Sequence, residues 1–149
     1  ILIGLVGSEM CIRDRYKGMQ NCVRDLNLMY KGNPAFYEED FDYRGFEWID
    51  HSNADDSVIS YMRKGHNPAD YMVVISNFTP VVRHDYRIGV NENCRYQEIF
   101  NSDDVNYWGS GVKNEGLLTT EEGEWNNKPR SIKVTLPPLS TIVLKPVRD

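Results

Sequence analysis

The chain has 149 residues, enough for one domain and too few for two of ordinary size. Its 40% hydrophobic and 26% charged content is that of folded globular material, which excludes a disordered polymer. Acidic residues outnumber basic ones, 22 to 17, and the net charge of -5 argues against nucleic acid, whose phosphates require a basic face, while it suits a neutral polysaccharide.

The chain opens Ile1-Leu2-Ile3-Gly4-Leu5-Val6-Gly7-Ser8 and continues to Arg15. This apolar run is too short to span a bilayer, no basic stretch precedes it, and no small-residue cleavage site follows. Residues 1–15 resemble a peptide that arises when sequencing-adapter DNA is translated by accident, and they are set aside as an artefact. The alternative is a genuine, divergent N-terminus.

From Met19 to Lys31 the apolar residues Met19, Cys22, Val23, Leu26, Met29 and Tyr30 fall at i, i+3, i+4 and i+7, which predicts one buried helix face. Gly32 and then Pro34 predict its end: glycine accepts the left-handed conformation and proline cannot continue a helix. After Asp56 the period changes. Ser57–Arg63 and Tyr71–Phe78 read as strands joined by the turn-rich Lys64–Asp70. Tyr86–Val90 and Tyr96–Phe100 read as a pair across Asn91–Asn93, while Ser131–Leu136 and Thr141–Lys145 flank Pro137-Pro138. Ile132, Val134 and Leu136 alternate with Lys133 and Thr135, so one face of that strand is predicted buried and the other wet. Val105–Lys128 has no clear period and reads as a long loop or irregular hairpin. Six or more short strands without helices between them predict an all-β antiparallel sandwich behind a single helix.

Little in the chain points to chemistry of its own. Cys11, Cys22 and Cys94 are odd in number and widely spaced, which argues against a disulfide framework and for a reducing cytoplasm. With His51, His66 and His84 equally isolated, no metal site and no cofactor is expected. The carboxylates Glu38, Glu39, Asp40, Asp42, Glu47, Asp50, Asp55 and Asp56 read as a solvated acidic loop rather than a catalytic pair. Aromatic side chains are the better candidates, because sugar rings present apolar C–H faces to flat partners while their hydroxyls seek carboxylates and amides. Trp48, Tyr107, Trp108 and Trp125 are the candidate sugar-binding residues. Trp48 also suits core packing between helix and sandwich, whereas Trp108 and Trp125 have polar, surface-like flanks. Asn101, Asp103, Asn106 and Ser110 stand near Trp108 as hydrogen-bond partners.

The tail Leu136-Pro137-Pro138-Leu139-Ser140-Thr141-Ile142-Val143-Leu144-Lys145-Pro146 carries a resemblance. So do Ser76-Asn77-Phe78-Thr79-Pro80, Tyr86-Arg87-Ile88-Gly89-Val90, Asn101-Ser102-Asp103 and Gly45-Phe46-Glu47-Trp48-Ile49-Asp50. Together they resemble the C-terminal end of the glycogen (1,4-α-glucan) branching enzymes, members of the α-amylase superfamily (glycoside hydrolase family 13), from about Tyr16 to Val147. Such enzymes cut an α-1,4-glucan and rejoin the piece through an α-1,6 bond in glycogen biosynthesis. The resemblance implies that 16–50 hold the last helix of a missing catalytic (β/α)8 barrel with a connecting segment, and that 51–149 form an α-amylase-type C-terminal all-β domain. It implies α-glucan and the barrel as partners, a glycosyltransferase as the whole protein, a cytoplasmic setting, and no catalytic residue in this chain. The chain departs from the family at Trp108, where members usually carry a glycine before Gly109, and in Asn91–Cys94 and Asn126–Arg130. A free-standing carbohydrate-binding module and a purely structural β-sandwich are the alternatives.

Overall fold

The computed structural model describes residues 2–148, with side chains described from Ile12 onward. The first element, α1 (Leu2–Gly32), is one unbroken helix of 31 residues and so begins well before the Met19–Lys31 stretch that the apolar stripe marks. The backbone of the segment set aside as foreign is therefore helical from Leu2, while Ile1 lies outside the described residues. The stop comes where the sequence puts it but by another device. Gly32 is not left-handed. Instead Asn33, in extended conformation, donates from Nδ2 to the Met29 carbonyl at 2.7 Å, capping the last turn with a side chain. Pro34 then opens the 3-10 turn Pro34–Phe36, where a missing N–H costs nothing.

Eight strands follow: β1 (Phe46–Asp50), β2 (Val58–Lys64), β3 (Tyr71–Asn77), β4 (Arg83–Val90), β5 (Arg95–Asn101), β6 (Leu117–Trp125), β7 (Lys128–Leu136) and β8 (Ser140–Val147). All neighbours are antiparallel, in the order β1-β2-β3-β8-β5-β6-β7-β4. The natural twist of so wide a sheet curls it into a half-barrel whose two layers face one core. Val58, Met62, Val73 and Ile75 enter that core from one layer, and Ile88, Val90, Ile132, Val134 and Leu136 from the other. Along β7 the predicted alternation holds, with Ile132, Val134 and Leu136 buried against exposed Lys133.

Four sequence-based expectations need correction. β4 does not pair with β5 across Asn91–Asn93: it pairs with β7, while β5 lies between β8 and β6. The aperiodic 105–128 stretch ends in a true strand, β6, joined to β7 by a tight turn with positive φ at Asn126 (50°) and Asn127 (58°). Those are the angles of a type I′ hairpin, whose twist matches the flanking strands. Phe46–Asp50, read as connecting segment, is the edge strand β1 and pairs with β2. Finally, the helix stripe does not bury as one face. Cys22 and Met29, with Phe36, pack on Met72, Val74, Phe100 and Val143 from the outer side of the sheet, while Met19, Val23, Leu26 and Tyr30 stay exposed.

Candidate functional site

Trp48 stands on the outer face of β1, opposite Tyr61 of β2. It is 46% exposed rather than packed in the core between helix and sheet. Its ring meets Phe46 edge-on at 4.9 Å, Tyr61 at 5.9 Å, and lies nearly parallel to His51 at 5.4 Å. Phe46 in turn stacks on Tyr61 at 5.1 Å. These four rings form a half-exposed cluster in which Trp48 stands edge-on to Phe46 and Tyr61. Sequence reasoning found Trp48 alone; the Phe46/Trp48 spacing of two, which puts both on one side of a strand, was the available signal. The polar neighbour Glu47 is held by Lys64 of β2 and Lys128 of β7, tying β1 to the opposite layer. Burial keeps the Lys128 ammonium below its ordinary range.

Next to the patch, Tyr61 also lines a cavity of about 540 Å³ between α1 and the sheet. Its walls are mostly apolar and include Leu26, Met29, Phe36, Val74 and Val143. Exposed Met19, Val23 and Leu28 extend the apolar strip along the far side of the helix. Exposed apolar side chains grouped in this way mark an interaction surface.

Tyr107 and Trp108 lie in the segment between β5 and β6, against α1. The Tyr107 ring stacks on Phe100 at 5.8 Å and its hydroxyl donates to the Asp25 carboxylate at 2.8 Å. Burial, reinforced by that hydrogen bond, raises the Tyr107 phenol above its usual value. Hydrogen bonds from Arg24 and then Tyr107 hold Asp25 low. Tyr107 thus fastens the loop to the helix. Trp108 is 54% exposed, beside Gly18 and 5.9 Å from the Arg15 guanidinium. Its φ of 70° and ψ of 22° are left-handed. That conformation disfavours any side chain with a Cβ and favours glycine.

Three of the four polar neighbours expected to serve Trp108, Asn101, Asp103 and Ser110, are engaged elsewhere. Asp103 is buried and accepts from the Ser110 amide at 2.9 Å, the Ser110 hydroxyl at 2.6 Å and the Val112 amide at 3.1 Å. Asn101 donates to Glu98 and to the Val112 carbonyl, while Asn114 bridges Glu98 to Thr135 of β7. These groups hold the loop shape, because each satisfies a backbone amide or carbonyl that the irregular chain leaves open.

Trp125, 44% exposed, ends β6. Its Nε1 donates to the Arg87 carbonyl at 2.9 Å, and the Arg87 guanidinium lies 5.2 Å from the ring centroid. The three tryptophans therefore occupy three separate elements, and only Trp48 belongs to an aromatic group.

The acidic segment is not the free, solvated loop its composition implies. Asp40 pairs with Arg63 at 2.7 Å, Asp42 with Arg44 at 3.0 Å, and Asp56 with Arg83 at 2.6 Å. Glu38 accepts from the His66 amide at 2.9 Å. These carboxylates pin the connection around β1 to β2 and β4, so they serve the fold. Among the described residues no group of three His, Cys, Asp or Glu side chains is placed to hold a metal ion, and no helix is long and apolar enough to cross a membrane.

Residues 48–147 match the model of the family described as "Alpha amylase, C-terminal all-beta domain". The 1,4-alpha-glucan branching enzyme of Rubrobacter xylanophilus is 48% identical over 130 residues, 87% of this chain and 18% of that protein. That of Halothermothrix orenii is 46% identical over 136 residues, 91% of this chain and 22% of that protein. The chain thus spans about a fifth of the length of the curated relatives it matches. The crystal structure of an alpha-amylase from H. orenii shares the fold with a TM-score of 0.50 at 24% identity, over 85% of this chain and 20% of that one.

Proposed function

The chain belongs to the alpha-amylase C-terminal all-beta domain family, and from that premise we propose that it is the C-terminal β domain, with its preceding helix, of a 1,4-α-glucan branching enzyme. In this reading residues 16–45 supply the last helix of a catalytic (β/α)8 barrel and the connection to the sheet, and the barrel carries the cutting and rejoining of the glucan. The uncovered apolar strip of α1 carries the reading. Leu26 borders the apolar cavity between α1 and the sheet, and Met19, Val23 and Leu28 are exposed on the helix beside it, a surface that a free-standing binding module has no use for. The barrel is the partner that covers it.

The β domain's second task is to hold α-glucan beside the barrel. Trp48, half-exposed in a cluster with Phe46, Tyr61 and His51, offers the aromatic surface that a glucose ring stacks on, next to the strip the barrel covers. Trp108 and Trp125 are single exposed rings, and Tyr107 is spent on fastening the loop to α1. No cofactor or metal enters this role. A cytoplasmic setting agrees with the free thiols of Cys22 and Cys94.

Mixing the chain with a Rubrobacter xylanophilus branching enzyme that lacks the matching region tests the docking. A one-to-one complex by light scattering, lost on Val23→Lys with Leu28→Lys, is the expected result. No complex at micromolar concentration from well-folded parts would overturn it.

A further inference from the structure

A second surface fits a polyol chain on the layer opposite α1. It lies between the bulge in β4, where the register to β7 shifts between Arg83 and Tyr86, and the β6–β7 hairpin. The groove holds about 610 Å³, within the range of small-ligand sites, and is lined by His84, Asp85, Tyr86, Trp125, Asn126 and Lys133 among others.

Three observations mark it as built. First, the platform is locked. The Trp125 indole N–H is satisfied by the Arg87 carbonyl, so the ring offers surface without a polar edge to desolvate. Second, the hairpin tip that carries it is pinned. Asn126 Oδ1 accepts from the Gly89 amide at 2.9 Å, and its Nδ2 donates to Asp50 at 3.2 Å. A Cβ on Gly89 would come within 2.2 Å of the Trp125 carbonyl oxygen, so glycine is what lets the tip close on β4. Third, the bulge holds Asp85 at φ 52°, a left-handed conformation that non-glycine residues adopt at a cost. Bulges and such strained residues gather next to functional sites. The His84 and Asp85 side chains are exposed and, among the described residues, have no hydrogen-bond partner.

We propose that this groove binds a linear α-1,4-glucan segment, with Trp125 as the stacking platform and His84 and Asp85 as partners for sugar hydroxyls. The inference rests on the reading of the chain as part of a glucan-acting enzyme, and it adds a site separate from the Trp48 patch. The mixed lining selects the ligand class. Asp50, Asp56 and Asp85 balance Arg83, Arg87 and Lys133, which disfavours an anion, and the polar walls disfavour an apolar ligand.

The three tryptophans give three indole N–H signals in a proton–nitrogen NMR spectrum of the full chain, each assignable by substitution. Titration with maltoheptaose should move the Trp125 signal saturably. The pair His84→Ala with Asp85→Gly should weaken that response roughly five-fold or more while leaving the Trp48 response unchanged. Glycine is chosen because it adopts the Asp85 backbone angles freely. A Trp125 signal that stays still while Trp48 responds would remove the groove and leave the reading under Proposed function standing. An unaltered Trp125 response in the double variant would equally refute the groove. No response from either ring at millimolar sugar would remove both surfaces.

Discussion

Replacing Trp48 with alanine separates its two roles. The ring is a little more than half covered, and a tryptophan buries at most about 250 Å², so truncation uncovers roughly 130 Å² of apolar surface. At about 25 cal/mol per Å² that is ~3 kcal/mol as an upper bound, because the unfolded chain already hides part of this area. The expected loss of stability is therefore about 2–3 kcal/mol, a fall of roughly 5–10 °C in Tm for a chain of this size. Phe46 and Tyr61 remain stacked at 5.1 Å, so the rest of the patch survives. Glucan affinity should fall by about 1–2 kcal/mol, roughly 5- to 30-fold, the scale of one lost aromatic platform. Thermal unfolding reads the first quantity. Affinity electrophoresis in glycogen-containing gels, run well below both melting points, reads the second. Trp48→Phe should recover part of each. Equal retardation of wild type and folded Trp48→Ala would refute the glucan role, and an unchanged Tm would refute the contacts assigned to the ring.

At position 108 the backbone is left-handed, so Trp108→Gly should be more stable than Trp108→Ala by about 1 kcal/mol in denaturant titrations; the reverse order would show that side-chain contact outweighs conformation there. Burial raises the Tyr71, Tyr86, Tyr96 and Tyr107 phenols above the unfolded value of about 10. Above that value the unfolded state gives up these protons first. The stability they confer is complete below about pH 10 and is lost as pH rises toward the folded values, so phenolate absorbance should appear together with unfolding rather than before it. The full chain should self-associate through the α1 strip, and Val23→Lys with Leu28→Lys should return a monomer by light scattering without lowering Tm.

The sequence made legible those elements whose side chains alternate between core and solvent. β2, β7 and β8 bury every other residue or nearly so, and β3, buried throughout, still announces itself by its Val and Ile content. β6 was invisible because it gains its place from hydrogen bonds to β5 and β7 on its two edges while most of its side chains remain exposed. Without a buried face there is no period to read. Strand pairing was illegible for a different reason: β3 with β8 and β4 with β7 are joined across long stretches of chain, and only the hairpins leave local signals.

At the candidate sites the residue types were readable and their employment was not. Asp103 and Asn101 have the composition of sugar ligands, yet buried backbone amides and carbonyls claim them. Trp48 reads as core because it is large and apolar, but its exposure follows from sitting opposite Tyr61 on the outer face, a register fact no local pattern contains.

The most direct measurement grafts residues 16–149 of this chain onto the Rubrobacter xylanophilus enzyme in place of the matching region and assays branching by the change in iodine staining of amylose. The account predicts that the chimera branches, that the same enzyme lacking the region is much weaker, and that this chain alone does nothing. A folded chimera without activity, or branching by this chain alone, would contradict it.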